Sequence, residues 1–274
     1  MLFKNFNKFS NEIAIIDNKT KKKYKDLKKD INKVCENYRS RNRKLCFLIS
    51  ENSYNFIKIY LSLIKLNYVV ILFENNVEKS FVKKLIDDYK PNYLFIPANI
   101  KFYYKSTLKK IDNYLIYENS VFEHVFNKDL QLLLPTSGTT GSSKFVMLTK
   151  KNINKNTTDI INYLRLNKKS TTLTNLPFHY SYGLSVLNTH LSSGAKLIIF
   201  KDNIISKNFR NFFKNENINC FYGVPENYEI LKRLNLSIKK TFNFFAIAGG
   251  KISKVTLSYL LSIADKYNVS IYNM

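Results

Sequence analysis

The residues best suited to chemistry form a short run of small hydroxyl residues and glycines that ends in a lysine. Residues 133–144 read LLPTSGTTGSSK, so an apolar stretch leads into serine, threonine and glycine, and Lys144 follows. Small residues let backbone N–H groups approach phosphate oxygens, hydroxyl groups donate further hydrogen bonds, and a lysine ammonium neutralises charge. This combination predicts a phosphate-binding loop.

Two common phosphate loops do not fit this run. A P-loop needs glycine directly before its lysine, whereas Ser143 occupies that position here. The dinucleotide pattern Gly-x-Gly-x-x-Gly does not fit either. The remaining alternative is a flexible surface loop, which the flanking apolar stretches and the lysine at the loop's end make the weaker interpretation.

Glycine is rare in this chain, so its positions mark further candidate sites. Only 7 of 274 residues are glycine, all within residues 138–250, and such a chain keeps glycine where a side chain would block a turn or a ligand. Structural explanations exist for several of them. Gly223 can open the turn before Pro225, and Gly249-Gly250 can form a strand-to-helix turn with Ser253 as helix cap.

Alternating strands and helices must position these segments. Buried strands are predicted at residues 44–50, 68–73 and 93–96, with a helix after each of the first two and a short hairpin at 12–24 before them. Residues 98–129 are polar and less regular, and the alternation resumes beyond them up to an apolar strand at 269–272 that we expect to be interior. The pattern predicts an α/β fold of two doubly wound, mostly parallel sheets flanked by helices, in subdomains 1–129 and 130–274.

Composition limits the partners of the chain. Lys and Arg number 44 and Asp and Glu number 20, a formal net charge of +24, which makes a nucleic-acid partner one alternative. The lysines occur as scattered pairs with one cluster at 19–23, and no basic helix, zinc spacing or RNA-binding aromatic signature accompanies them. We therefore expect solvated basic faces rather than a nucleic-acid groove.

Cysteines and apolar runs indicate the compartment. The three cysteines (Cys35, Cys46 and Cys220) are odd in number, scattered and without metal-ligand spacing, as expected for a reduced, cytoplasmic chain. No apolar run approaches the length of a membrane span, and the N-terminus lacks the apolar core and cleavage site of a signal peptide.

The phosphate loop resembles the signature of the adenylate-forming enzymes, which include acyl-CoA synthetases, luciferases and the adenylation domains of peptide synthetases. That signature runs Thr-Ser-Gly-Thr-Thr-Gly-x-Pro-Lys-Gly-Val, then Met-Leu-Thr-His and an asparagine. This chain carries TSGTTGSSKFVMLTKKN over residues 136–152, with Ser143, Phe145 and Lys150 in place of the usual Pro, Gly and His. None of these changes removes a phosphate donor.

Further phrases follow in the family's order, so the resemblance covers nearly the whole chain. They are similar to the family's Leu-Pro-x-x-His…Gly-Leu segment beside the acyl pocket, the Gly-Ala strand entry, the Val-Pro segment beside the substrate, and the Gly-Gly segment along adenine and acyl sites. Here they read NLPFHY at 175–180 with Gly183-Leu184, Gly194-Ala195, Gly223-Val224-Pro225, and AGGKIS at 248–253.

The resemblance implies a role for each matched residue. The ATP phosphates would be held by Thr136, Ser137, Gly138, Thr139, Thr140, Gly141 and Lys144, with Thr140 also at the metal. Gly249, Gly250 and Lys251 would line the adenine or acyl wall, while His179, Gly223 and Val224 would border the substrate. His179 and Lys144 would be the catalytic residues. Without the matched segment His179 would be interpreted as structural, as we interpret His124 and His190.

The implied activity is ATP-dependent activation of a carboxylic acid as an acyl-adenylate, with Mg²⁺, followed by transfer to a thiol of coenzyme A or of a carrier-bound phosphopantetheine. The family continues with Tyr-Gly-x-Thr-Glu and a small C-terminal domain, whereas this sequence ends at Met274. We therefore expect an incomplete and inactive portion of such an enzyme. The alternatives are a non-catalytic nucleotide-binding or regulatory remnant of the same fold, and a basic nucleic-acid-binding module.

Overall fold

A computed structural model describes residues 5–18, 20–102, 107–119, 122–135, 144–235 and 238–274. Its strands are β1 (Ile13–Asp17), β2 (Thr20–Lys23), β3 (Leu45–Ile49), β4 (Val69–Phe73), β5 (Tyr93–Pro97), β6 (Thr107–Ile111), β7 (Tyr114–Glu118), β8 (Leu130–Pro135), β9 (Phe145–Thr149), β10 (Thr171–Leu173), β11 (Lys196–Ile198), β12 (Cys220–Gly223), β13 (Phe244–Ile247) and β14 (Ser270–Asn273). Its helices are α1 (Tyr24–Asn37), α2 (Tyr54–Lys65), α3 (Lys79–Tyr89), α4 (Lys150–Leu164), α5 (Ser181–Ser193), α6 (Lys207–Asn215), α7 (Pro225–Arg233) and α8 (Lys254–Tyr267). The mixture of parallel strands and flanking helices confirms the predicted α/β class.

The chain forms two compact units that are discontinuous in sequence. The first unit comprises residues 1–25, 157–176 and 182–274, and the second comprises residues 26–156 and 177–181. This division differs from the predicted boundary between residues 129 and 130. The reason is strand pairing: β8, which follows that boundary, pairs in parallel with β4, so both belong to one sheet.

The second unit is built on a seven-stranded sheet in the order β6-β7-β5-β3-β4-β8-β9. Its central strands β5, β3, β4 and β8 are parallel, and antiparallel strands close both edges. Every residue of β3 and β4 is buried, as the continuous apolar runs predicted. The hairpin β6–β7 lies within the stretch predicted to be irregular. Its exposed lysines interrupt the alternation of apolar and polar residues that predicts a strand, and its turn includes Asp112, with φ of 49°.

The first unit contains two mostly parallel sheets, β10-β11-β1-β2 and β12-β13-β14. The antiparallel β1–β2 pair confirms the predicted hairpin. The Asn219 amide donates to the Thr171 carbonyl at 3.0 Å, which joins the start of β12 to β10. Phenylalanines from α6, β12 and β13 form much of the core of this unit, among them Phe209, Phe221 and Phe245.

The last strand departs from prediction. Among the described strands, β14 pairs only with β13, so it is an edge strand. Ser270 and Asn273 are exposed, and Ile271 and Tyr272 are partly buried. The expectation of an interior strand is therefore wrong for this chain, because an apolar pattern reports the faces of a strand and not whether both of its edges are paired.

Candidate functional site

The predicted phosphate loop connects two adjacent strands of the second unit. β8 ends at Pro135 and β9 begins at Phe145, and these two residues pair in the antiparallel ladder. Thr136, Ser137, Gly138, Thr139, Thr140 and Gly141 lie outside the described residues. Lys144 is exposed directly before β9. Their assignment to phosphate binding stays a prediction.

The end of the signature sequence has a structural role at the start of α4. The Thr149 amide and hydroxyl donate to Asn152 Oδ1 at 2.9 and 2.6 Å, and the Asn152 amide donates back to Thr149 Oγ1 at 3.1 Å. This reciprocal arrangement satisfies donors that a helix start otherwise leaves unpaired. Lys150, at the position of the usual histidine, is exposed in the first turn of the helix.

His179 occupies a tight turn in the second unit, and its ring is mostly buried. The residue is 8% exposed, and its ring lies 4.2 Å from that of Tyr180, at an angle of 44°. Nε2 is buried without a hydrogen-bond partner among the described residues, and Glu74 Oε2 is 4.0 Å away, too far for a hydrogen bond. Burial lowers the pKa of His179 to about 4, so the ring is neutral at pH 7.

Contacts of the preceding residue hold this turn in place. The Phe178 ring stacks on Phe56 of α2 at 5.5 Å, and the Phe178 amide donates to Asn52 Oδ1 at 3.3 Å. Ser53, next to Asn52, caps α2 by accepting a hydrogen bond from the Phe56 amide at 3.2 Å. The imidazole therefore projects from a turn that is anchored to a rigid helix.

The parallel pairing of β4 and β8 places two candidate segments at one sheet edge. Glu74 follows the last residue of β4, and Pro135 ends β8. Carboxyl ends of neighbouring parallel strands lie at the same edge of a sheet, where α/β proteins commonly bind ligands. The second unit thus brings the beginning of the phosphate loop and the Glu74–His179 pair to the same edge.

In the first unit, the predicted Gly-Gly and Val-Pro segments pack against each other. Gly249 has φ of 85°, and a Cβ there would lie 3.2 Å from Val224 Cγ1. A Cβ on Gly250 would lie 3.3 Å from Pro225 Cγ. Gly223 is also tightly packed, because a Cβ there would lie 2.9 Å from Tyr228 Cε2. Glycine at these positions is therefore explained by backbone conformation and packing.

Two tyrosines support the strand that leads into the Gly-Gly segment. The hydroxyls of Tyr182 and Tyr228 both donate to the Ala246 carbonyl of β13, at 2.7 and 2.5 Å. The Ala248 amide donates to the Gly223 carbonyl at 3.3 Å, which ties the ends of β12 and β13 together. Lys251 follows the two glycines and is exposed.

Sequence reasoning missed the acidic residues of these regions. Glu74 was readable as a single acid directly after the buried run VVILF, at the end of a predicted strand. Glu229, in α7, accepts a hydrogen bond from Ser253 at 2.7 Å and lies beside the Gly-Gly segment only through folding. In the part of the chain that the structure describes, no three His, Cys, Asp or Glu side chains are grouped so that they could hold a metal ion. No described helix is long and apolar enough to cross a membrane.

Comparison with known proteins gives a family-level match. A family model described as AMP-binding enzyme matches residues 2–273. No curated protein matches this chain.

Solved structures share the fold at low sequence identity. The NpsA N-terminal subdomain of Klebsiella oxytoca has a TM-score of 0.79 and 14% identity, over 99% of this chain and 71% of that one. The o-succinylbenzoate CoA synthetase of Bacillus subtilis, in complex with its acyl-adenylate intermediate, has a TM-score of 0.76 and 13% identity, over 98% of this chain and 57% of that one. A luciferase-like enzyme from the mealworm Zophobas morio has a TM-score of 0.76 and 15% identity, over 98% and 69%.

Proposed function

The chain belongs to the AMP-binding enzyme family, and from this premise we propose that it takes part in ATP-dependent activation of a carboxylic acid. In this reaction a carboxylate oxygen attacks the α-phosphorus of ATP, the bond to the bridging oxygen breaks, and pyrophosphate leaves. The resulting acyl-adenylate then loses AMP when a thiol attacks its carbonyl carbon. We propose coenzyme A or a carrier-bound phosphopantetheine as the source of that thiol, in a cytoplasmic protein whose three cysteines are free.

The observation that carries this proposal is the unsatisfied nitrogen of His179. Buried polar atoms normally have a hydrogen-bond partner, and one without a partner calls for an explanation such as a ligand. A neutral imidazole can offer one hydrogen bond to a substrate carboxylate without adding charge at the carboxylate. We propose that His179 Nε2 orients the incoming acid in this way, with Gly223 and Val224 as further substrate-binding residues.

The remaining proposed roles follow the family resemblance. Residues 136–141 and Lys144 would bind the triphosphate, where backbone N–H groups and one lysine balance several negative charges. Gly249, Gly250 and Lys251 would line the adenine or acyl wall. Mg²⁺ would neutralise charge on the phosphates when it is bound, and Thr140 is the residue proposed beside it.

Lys144 offers the most direct test on the 274-residue chain itself. Isothermal titration with ATP at constant ionic strength should show binding, and Lys144→Ala should weaken it by about 1.5–3 kcal/mol, the scale of a charge-assisted hydrogen bond. Lys150→Ala is the matched control, because it removes the same charge from an exposed position six residues further on. Equal losses in both variants would attribute binding to general positive charge and contradict the proposal.

His179 is tested by separating chemistry from nucleotide affinity. In a form of the protein that makes adenylate, His179→Ala should slow acid-dependent pyrophosphate exchange while ATP affinity stays nearly unchanged. Full pyrophosphate-exchange activity in a folded His179→Ala variant would contradict the proposed role and indicate that His179 is structural.

Pyrophosphate release from the 274-residue chain, measured with a panel of acids, distinguishes an active ligase from a non-catalytic nucleotide-binding portion. The chain spans 57% to 71% of the related chains described above. We propose that it binds nucleotide and makes no acyl-adenylate alone.

A further inference from the structure

Residues 248–253 connect β13 to α8 as a largely exposed arch with few backbone hydrogen bonds. Within the described residues, the amides of Gly249, Gly250, Lys251 and Ile252 have no hydrogen bond to another backbone group. Ile252 packs partly against the core of the first unit. A segment with so few internal contacts takes its conformation from the groups that hold its ends.

Helix α7 holds the first part of this arch by close packing. Val224 and Pro225, where α7 begins, pack directly against Gly249 and Gly250. A Cβ on Gly249 would lie 3.2 Å from Val224 Cγ1, and a Cβ on Gly250 would lie 3.3 Å from Pro225 Cγ. The Val224 amide donates to Asn227 Oδ1 at 3.0 Å, and the Asn227 amide donates to the Val224 carbonyl at 2.9 Å. The surface on which the glycines rest is therefore rigid.

The same helix holds the end of the arch through one carboxylate. Glu229 Oε1 accepts a hydrogen bond from the Ser253 hydroxyl at 2.7 Å and another from the Thr256 hydroxyl. Lys232 Nζ lies 3.0 Å from Glu229 Oε2. Ser253 Oγ in turn accepts the Thr256 amide at 3.2 Å as the cap of α8. Glu229 thus connects α7 to the first turn of α8, where a negative charge is also favoured by the helix dipole.

The protonation state of this carboxylate is constant over the range in which proteins are assayed. Hydrogen bonds from Ser253 and Thr256, and the interaction with Lys232, lower the pKa of Glu229 to about 2. Because the group stays ionised, its hydrogen bonds are charge-assisted and do not vary with pH above about 4.

We propose that Glu229 is a positioning residue for nucleotide binding: it fixes the Gly249–Lys251 backbone against α7 so that the arch can line the adenosine part of ATP. This inference rests on the proposed function of the arch. A simple helix cap would need only Ser253, which already accepts the Thr256 amide. The additional carboxylate comes from a different helix, so that α7 contacts the arch both at its beginning, through Val224 and Pro225, and at its end, through Glu229.

The test compares two ligands that share no groups beyond phosphate. Glu229→Ala should weaken binding of AMP to the 274-residue chain by about tenfold, because a displacement smaller than the ~1 Å that can cost about a hundredfold is expected when the backbone loses one of its two supports. Binding of inorganic pyrophosphate, which lacks adenosine, should be unchanged. Glu226→Ala is the matched control, since it removes the same charge from the first turn of α7 at an exposed position. Equal weakening of both ligands, or equal effects of the two substitutions, would overturn the inference.

Amide hydrogen exchange makes the result independent of ligand binding. Glu229→Ala should speed exchange of the amides of residues 249–252, while Glu226→Ala should leave it unchanged. Unchanged exchange in the Glu229→Ala variant would overturn the inference even if AMP binds. If the unsubstituted chain binds neither ATP nor AMP, the proposed function fails, and the exchange measurement still decides whether Glu229 positions the arch. A Ser253→Ala variant, with the same expected faster exchange, serves if Glu229→Ala does not fold.

Discussion

The two buried histidines of this protein, one in each unit, differ in what their ring nitrogens contact. His190 of α5 is completely buried, with Nδ1 at 3.0 Å from the Val186 carbonyl and Nε2 at 3.6 Å from Cys220 Sγ. His179 is 8% exposed, and its buried Nε2 has no partner among the described residues. Burial lowers the pKa of both rings to about 4.

A low histidine pKa therefore does not distinguish a binding residue from a structural one in this protein. The difference lies in hydrogen bonding. Both ring nitrogens of His190 have polar neighbours within the core, whereas His179 Nε2 has no hydrogen-bond partner among the described residues. Perturbed pKa values occur at functional sites and in structural clusters alike. The hydrogen-bond partners separate the two cases, and the following experiments test that separation.

The largest expected effect is the loss of stability on removing the buried ring of the first unit. His190→Ala should lower the free energy of unfolding by about 3 kcal/mol, because it opens a cavity and leaves the Val186 carbonyl without this side-chain donor. Urea denaturation followed by circular dichroism measures this. A loss no larger than that of His179→Ala would break the comparison.

Acid should destabilise the protein through the same ring. Unfolded histidine binds a proton near pH 6.5, while folded His190 resists protonation down to about pH 4. The unfolded state therefore binds more protons in this window, so stability is full above pH 6.5 and falls as the pH decreases towards 4, by on the order of 3 kcal/mol.

Denaturation midpoints at pH 7.5, 6.0 and 5.0 measure this dependence. His190→Asn keeps a donor near the Val186 carbonyl but does not titrate, so its midpoints should depend less on pH than those of the unsubstituted chain. An identical pH dependence in the two proteins would assign the acid sensitivity to other groups.

An intermediate loss of stability is expected on removing the Tyr24 hydroxyl, which lies beside the end of the helix that carries His190. Tyr24 Oη donates to the Ala195 carbonyl at 2.6 Å and lies 3.2 Å from the His190 carbonyl. Tyr24→Phe should lower the free energy of unfolding by about 1–2 kcal/mol, since the buried Ala195 carbonyl loses this donor. Tyr180→Phe, beside His179, is the control and should change stability by less than about 0.5 kcal/mol, because Tyr180 is 51% exposed. Equal losses would mean that both regions are structural.

The smallest change in stability is expected on replacing His179, the buried histidine whose Nε2 has no partner among the described residues. His179→Phe replaces an unsatisfied polar ring by a larger apolar ring, so the gain from removing a buried unpaired nitrogen offsets the cost of fitting the larger ring, and stability should stay within about 1 kcal/mol. Thermal unfolding of this variant beside His190→Phe checks the expectation. A loss of several kcal/mol in His179→Phe would show that the imidazole is needed for folding.

Local features of this fold were predictable where local physics decides them. The runs LCFLI and VVILF are buried parallel strands because only a strand covered on both faces accommodates continuous apolar residues. Ser253 caps a helix as predicted, since a hydroxyl one position before a helix satisfies a free amide. The hairpin β6–β7 escaped prediction because its exposed lysines do not alternate with apolar residues.

The candidate site divides in the same way. The motif over 136–152, His179 and the Gly-Gly segment are predicted as site residues from residue types and order alone. The pairing of Glu74 with His179, 105 residues apart in the chain, and that of Glu229 with Ser253, 24 residues apart, could not be predicted in this way. Pairing at such separations depends on which strands and helices become neighbours.

The family and the α/β class could be read from short contiguous patterns in the sequence, and the same patterns predict the phosphate loop. Only the tertiary structure decided that β8 joins the sheet of β3 and β4, that β14 is an edge strand among the described residues, and which buried histidine lacks a partner. Burial and hydrogen bonding are properties of neighbours in space. An amino-acid pattern predicts which side chains are buried, and the packing of the chain determines which groups each buried side chain contacts.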